Sequence, residues 1–267
     1  MKECDIASWS VQEDNLNPPL FRKAVHIIIN AVSGNEYLSS VMIMKGGILL
    51  SIRYNSFRYT KDIDFSTDIK KEDFNAEFFI SELNNALMLA GEELPYGLFC
   101  KIQSWKFQPP REDATFPTLK IKVGYAKKGT APHRKLLKGD NINTVISIDY
   151  SLNEITYQVE KIKISDRGSL SAYSLTDLLS EKIRAVLQQT IRNRVRRQDI
   201  YDINLLLKNN DCTAIRKDIL RALFIKSKTR GLEINKNSMA DKEIIARSKK
   251  NYHLLKDEIT DDLPDFD

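Results

Sequence analysis

Cysteine is scarce. The 267 residues hold three, Cys4, Cys100 and Cys212, far apart and odd in number. That excludes a disulfide framework and a Cys-x-x-Cys metal knuckle. Histidine is as scarce, with three scattered residues, so a zinc site lacks ligands. No apolar run approaches the roughly 18–20 residues that span a bilayer. The N-terminal stretch "MKECDIASWSVQEDN" lacks the apolar core of a signal peptide. Internal repeats and low-complexity tracts are also missing. These absences point to a soluble cytoplasmic protein with no membrane partner.

What is present is an ordinary globular balance, 42% hydrophobic and 29% charged. It suits one large domain or two modest ones. The net charge of +5 is compatible with a polyanionic partner. Residues 192–197, "RNRVRR", carry four arginines in six positions. They read either as a solvated helix end or as a surface for an RNA backbone. The last eight residues, "TDDLPDFD", carry four aspartates and no basic residue, and read as a disordered end.

Periodicity divides the chain. "NPPLFRKAVHIIINAV" reads as a helix entered at Pro18-Pro19. "SSVMIM" reads as a buried strand, "GILLSIRY" as a helix and "KDIDFST" as a strand. Residues 72–91 read as an amphipathic helix ending at Gly91. From 98 to 165, four segments alternate in period two, ending with "VISIDYS" and "YQVEKIKI". Helical period then holds to the end. The fold class is α+β, with a mixed sheet in residues 1–168 and an all-helical part in 169–267.

Three acids draw attention. In a strand, residues i and i+2 share a face, so Asp62 and Asp64 of "DIDF" project together. Two like charges so close need a partner or water. A divalent cation supplies one, and so does an open strand edge facing solvent. Asp149 of "VISIDYS" also lies near the end of an apolar strand and joins the pair if the two strands are neighbours. Upstream, "KGG" at Lys45-Gly46-Gly47 falls between strand and helix. That is either a tight turn or a helix N-terminus open to a phosphate. The spacing of a P-loop is absent.

The helical part has inward charges. In "SLTDLLSEKIRAVLQQ", Ser174 and Asp177 suggest an N-terminal cap. Lys182 falls on the edge of the stripe of Leu175, Leu178, Leu179, Val186 and Leu187, with Glu181 and Arg184 opposite. It either snorkels to water or needs an anion. In "RRQDIYDINLLL", Asp199 aligns with Ile203 and Leu206, and Asp202 lies closer to the polar border. Lys182 and Asp199 suit a structural pair.

"KGGILLSIRYNSFRYTKDIDFS" resembles the signature of the AbiEii/AbiGii nucleotidyltransferase toxins, which include the MenT-type toxins. Lys45, Gly46, Gly47, Arg58, Thr60, Asp62, Ile63, Asp64 and Phe65 all fit. "EKIRAVLQQ … RRQDIYDINLLL" resembles a second segment of the family. The resemblance implies a polymerase-β-like nucleotidyltransferase domain at 1–168 and a helical C-terminal domain at 169–267. It implies an enzyme that attaches NMP from an NTP to an acceptor hydroxyl, releasing pyrophosphate with Mg²⁺ or Mn²⁺. Asp62, Asp64, Lys182 and Asp199 are the implied catalytic residues. Lys45, Gly46, Gly47 and Arg58 are the implied nucleotide-binding residues. Asp62 and Asp64 are the implied metal ligands, with Asp149 added on strand position. The implied setting is a toxin–antitoxin pair in phage defence, with a cognate antitoxin and the tRNA 3′ end as first acceptor. A protein or small-molecule acceptor, and a non-catalytic nucleotide- or RNA-binding module, are the alternatives. Thr60, two residues before Asp62, is a position where a phosphate would oppose the incoming triphosphate.

Overall fold

A computed structural model describes residues 2–12, 16, 18, 20–165, 168–260 and 262–266. The chain is α+β, as expected. Strand β1 (Lys2–Glu3) leads to helices α1 (Ile6–Val11), α2 (Phe21–Gly34) and α3 (Glu36–Val41). Strand β2 (Ile43–Lys45), helix α4 (Gly46–Tyr54), strand β3 (Asp62–Ser66) and helix α5 (Ala76–Glu93) follow. Next come strands β4 (Leu98–Gln108) and β5 (Thr118–Lys127), helix α6 (Ala131–Lys138), and strands β6 (Val145–Ser151), β7 (Val159–Ser165) and β8 (Gly168–Tyr173). The rest is helical: α7 (Leu175–Leu187), α8 (Gln189–Arg192), α9 (Arg197–Asn209), α10 (Arg216–Thr229) and α11 (Lys242–Lys249).

The sheet is mixed, in the order β1-β7-β8-β2-β3-β6-β5-β4. Strand β3 runs parallel to β6 and antiparallel to β2, and β5 runs antiparallel to both β4 and β6. Helix α2 is buried on nearly all sides, from Phe21 through Ser33 with only a few half-open positions. A helix this apolar belongs at the centre of a core. On the same side of the sheet, the Phe79 ring of α5 stacks on Tyr150 of β6 at 4.9 Å between centroids. Burial pushes the Tyr150 hydroxyl above its usual pKa, and that hydroxyl donates to the Val41 carbonyl at 3.0 Å.

The chain forms two compact units. The first takes residues through Ile52, Thr60–Ile155 and Glu160–Ala172; the second takes Arg53–Tyr59, Thr156–Val159 and Tyr173 onward. Hydrogen bonds explain the two short outliers in the second unit. The backbone N–H groups of Tyr157 and Gln158 donate to the buried Asp177 carboxylate. The Tyr59 N–H donates to the Glu258 carbonyl, and Arg58 bridges to Ile259. The Asp177 carboxylate also takes the Lys226 ammonium at 2.9 Å, so both ions are paired out of water.

Several boundaries differ from the sequence reading. "SSVMIM" is split: Ser39, Ser40 and Val41 finish α3, capped at its start by Asn35, and only Ile43–Lys45 is strand. Tertiary context overrides the β-propensity of so short a run. Helix α5 starts at Ala76 behind the Asn75 cap, not at residue 72, and continues through the buried Gly91 to Glu93. Packing at residue 91 favours the small side chain, so this glycine does not end the helix. Helix α2 starts at Phe21; Pro19 lies outside the described residues. Helix α6 was not anticipated, and β8 occupies the segment read as a divide. Arg184 is buried and donates to Gln188 at 2.6 Å. The acidic end packs: Leu263 and Phe266 lie against a cluster of Tyr201, Tyr252, Leu255 and Ile259. Asp261 and Asp267 lie outside the described residues.

Phe79→Ala removes a fully buried ring and is expected to cost about 3–5 kcal/mol, read as a lowered urea midpoint at unchanged slope.

Candidate active site

In the first unit, burial decides which way β3 faces. Ile63 and Phe65 are fully buried, so Asp62 and Asp64 project from the other face. The β3–β6 register places Asp64 opposite Asp149. The β2–β3 register places Lys45 opposite Asp64, and the β5–β6 register places Lys120 opposite Asp149. One row across four strands therefore reads Lys45, Asp64, Asp149, Lys120. The Lys120 ammonium donates to both Asp149 oxygens, at 3.1 and 2.8 Å. Lys45 is 8% exposed and lies 4.0 Å from a Glu154 oxygen. Asp62, next along β3, has its pKa raised by partial burial and then by the charge of Asp149, with Lys120, Lys61 and the Ser147 hydroxyl pulling the other way.

The glycine pair has a definite task. Gly46 has φ +75°, a left-handed conformation that L side chains avoid. A Cβ built there would lie 1.9 Å from Asp64 Oδ2. The turn between β2 and α4 thus brings its backbone directly onto the Asp64 carboxylate. Gly47 is buried in the first turn of α4.

The acids suit a divalent cation by their chemistry, as hard oxygen donors on one face. Among the described residues, no group of three or more His, Cys, Asp or Glu residues forms a metal cage. Asp62 and Asp64 on β3, with Asp149 opposite Asp64 and bonded to Lys120, are the residues that could hold an ion. Magnesium is commonly held that way, by one or two carboxylates plus substrate phosphate oxygens.

The second unit holds a buried ionic network. Arg58 grips Asp202 with two parallel bonds, Nε to Oδ1 at 3.0 Å and Nη2 to Oδ2 at 3.1 Å. Lys182 donates to Asp202 Oδ2 at 2.6 Å and to Asp199 Oδ1 at 3.1 Å. Arg196 approaches Asp199 at 3.6 Å. Asp202 is fully buried and Lys182 is 7% exposed. Burial opposes ionisation of Asp202, but Lys182 and Arg58 overcome it and hold its pKa below the usual carboxylate range. Burial likewise opposes the Lys182 charge, and Asp202 with Asp199 overcomes it, raising the lysine pKa.

The structure therefore brings Arg58, Lys182 and Asp199 together in the second unit. It brings Lys45, Gly46, Gly47, Asp62, Asp64 and Asp149 together in the first. The sequence reading placed Asp202 near the polar border; instead it is the hub. Its signal was its spacing, three residues after Asp199 and so on a neighbouring line of the helix. Lys120 was also missed. Its signal was the alternation of "LKIKV", which puts lysines on the face opposite the buried Leu119, Ile121 and Val123. The arginine run forms the turn between α8 and α9. There partial burial, then the charges of Arg230, Arg184, Arg194 and Arg196, lower the pKa of Arg192.

A family profile described as nucleotidyl transferase AbiEii toxin of type IV toxin–antitoxin systems matches residues 33–267. The chain belongs to the AbiEii family. It is therefore a nucleotidyltransferase toxin of a toxin–antitoxin system, and an antitoxin and nucleotide substrates follow from membership. No curated protein matches it. Among solved structures, it is similar to MenT4, a nucleotidyltransferase toxin from Mycobacterium tuberculosis H37Rv, at 13% identity and TM-score 0.48, covering 94% of this chain and 88% of that one. It is also similar to JHP933 from Helicobacter pylori, at 14% identity and TM-score 0.42, covering 88% and 91%. No described helix of this AbiEii member is long and apolar enough to cross a membrane.

Gly46→Ala is expected to displace the Asp64 carboxylate and abolish nucleotidyl transfer, checked by label transfer from NTP alongside circular dichroism. Asp202→Asn leaves Arg58 and Lys182 under-compensated in a buried setting and is expected to cost about 3–5 kcal/mol, read as a lowered Tm. A depressed carboxylate pKa stabilises the fold above its unfolded value. The wild-type advantage should thus be complete above about pH 4 and shrink as pH falls through the Asp202 pKa. The raised Lys182 pKa acts at the other end, its contribution complete below about pH 10 and lost as pH rises through the folded value.

Proposed function

We propose that this AbiEii member transfers NMP from an NTP to a hydroxyl of RNA, the tRNA 3′ end being the first acceptor to test. The carrying observation is the acid face: Asp62 and Asp64 on one strand, Asp149 opposite Asp64, and Gly46 seated against Asp64. The acceptor hydroxyl oxygen attacks the α-phosphorus and gives its proton to solvent, the bond from that phosphorus to the bridging oxygen breaks, and pyrophosphate leaves in line with that oxygen. Asp62 and Asp64 would hold Mg²⁺, or Mn²⁺ in its place, and that ion would supply charge neutralisation at the reacting phosphate.

The protein's own residues do the remaining work. Asp149, fixed by Lys120, keeps a third negative charge on the acid face. Lys45 and the α4 N-terminus favour phosphate by charge and dipole. In the second unit Lys182 is kept protonated by Asp202 and Asp199, and Arg58 holds Asp202 within the same network. The setting is toxin action in the cytoplasm within a phage-defence system.

Incubation with each labelled NTP, Mg²⁺ and total RNA tests this reading. Label should enter RNA with wild type, and Asp64→Ala should lower transfer at least 10³-fold, in the range of removing a principal electrostatic group. Label on protein or a small molecule instead would redirect the acceptor. Full activity in Asp64→Ala would overturn the residue assignment.

A further inference from the structure

The positive charge of the chain is concentrated in one segment. Residues 98–151 carry ten Lys or Arg and four Asp or Glu, a net of +6, whereas the whole chain carries +5. The remainder is thus slightly acidic. This segment supplies β4, β5, α6 and β6, all within the first unit.

Register shows where the charges go. Lys106 of β4 lies opposite Lys120 of β5, and Lys120 lies opposite Asp149. Lys106 therefore extends the row of Asp64, Asp149 and Lys120 toward the sheet edge at β4. One row along, Asp62 lies opposite Ser147, Ser147 opposite Lys122, and Lys122 opposite Ser104. Both rows share the acid face, and both change from acidic to basic or hydroxyl side chains as they cross to the edge. Lys106, Lys122 and Ser104 are exposed. Lys106 and Lys122 form no ion pair among the described residues.

Helix α6 extends the same surface. Gly124, two residues past Lys122 and hence on the acid face, has Leu136 against it: a Cβ there would lie 2.8 Å from Leu136 Cδ2. Lys101, opposite Gly124, donates to the Leu136 carbonyl at 3.3 Å. Leu136 is the buried anchor of α6. Arg134, Lys135 and Lys138 of this helix are exposed, and the helix carries no acid.

We propose that Lys106 and Lys122, continued by Lys135 and Lys138 of α6, form a rail for the phosphodiester backbone of the acceptor RNA, leading to the acid pair. The inference rests on the RNA-acceptor reading above. Its reach favours a strand over the nucleotide. Strand β4 is three inter-strand spacings from β3, about 14 Å. A triphosphate whose reacting phosphorus sits at Asp62 and Asp64 does not need cations so far along the sheet; a polymer does. The serine hydroxyls between the lysines add neutral donors to phosphate oxygens.

Fluorescence anisotropy with labelled total tRNA tests the rail, using Lys106→Ala/Lys122→Ala. Both side chains are exposed, so the fold should persist, as a melting curve will confirm. Affinity at low salt should fall roughly tenfold. The slope of log affinity against log salt should shrink by about 0.7 per lysine, as single-stranded RNA contacts do. Lys135→Ala/Lys138→Ala should act in the same direction. NTP affinity by calorimetry should stay unchanged in both. Weaker NTP binding with unchanged RNA binding would overturn the proposal in favour of a triphosphate site. Equal competition by polyglutamate would overturn it in favour of an acidic protein. Transfer of label to RNA with unaltered RNA affinity in both variants would also overturn it, while leaving the transferase reading intact. Absence of RNA labelling by wild type, with label on another acceptor, would instead sink the RNA reading on which it rests.

Discussion

Like charges on adjacent strands repel, and the parallel pairing of β3 with β6 sets Asp64 opposite Asp149 all the same. The first unit is arranged around that constraint. Ile63 and Phe65, with Ile148 and Tyr150 beside them, are fully buried on the other face. Turning the acids inward would expose those four side chains, each worth roughly 1.5–3 kcal/mol or more when buried. Hydrophobic burial therefore wins over local repulsion. What is left is to lessen the repulsion, and lysines at both ends of the row do so. Lys120 bonds Asp149 directly, and Lys45 lies opposite Asp64. The Asp62 pKa is nevertheless raised, first by burial and then by the charge of Asp149.

The second unit solves a related problem in the opposite way. Arg58, Lys182, Asp199 and Asp202 are balanced in charge and mutually bonded. Burial alone would make any one of them costly. Together each ion finds a partner, so the network holds the short segment around Arg58 against α7 and α9. Such a network gives geometric definition more than net stability. It also keeps Lys182 charged, since Asp202 and Asp199 outweigh burial and raise its pKa.

Much was legible in the sequence because it followed from period. The alternation of "VISIDYS" and "LKIKVGY" fixed strands and faces, and the 3.6-residue stripe around Leu178 and Val186 fixed α7. Ser174 caps that helix as its position suggests. The family signature at "KGG" and "DIDF" was readable because it is local. Less legible was anything set by distant packing. "SSVMIM" carries strand-like residues yet splits between helix and strand. Arg184 was placed on the polar side of α7 and is buried. Asp202 was placed near water and is fully enclosed, because Arg58, 144 residues away in sequence, supplies a partner that no local pattern shows.

The sequence by itself determined most of the elements, the faces of the strands and the family, since all three depend on residue spacing within one segment. Tertiary structure alone decided the partners. It paired β3 with β6 so that Asp64 meets Asp149, seated Gly46 against the Asp64 carboxylate, and made Asp202 the hub of a buried network. Those outcomes depend on which segments come together in space, and an isolated period carries no record of that choice.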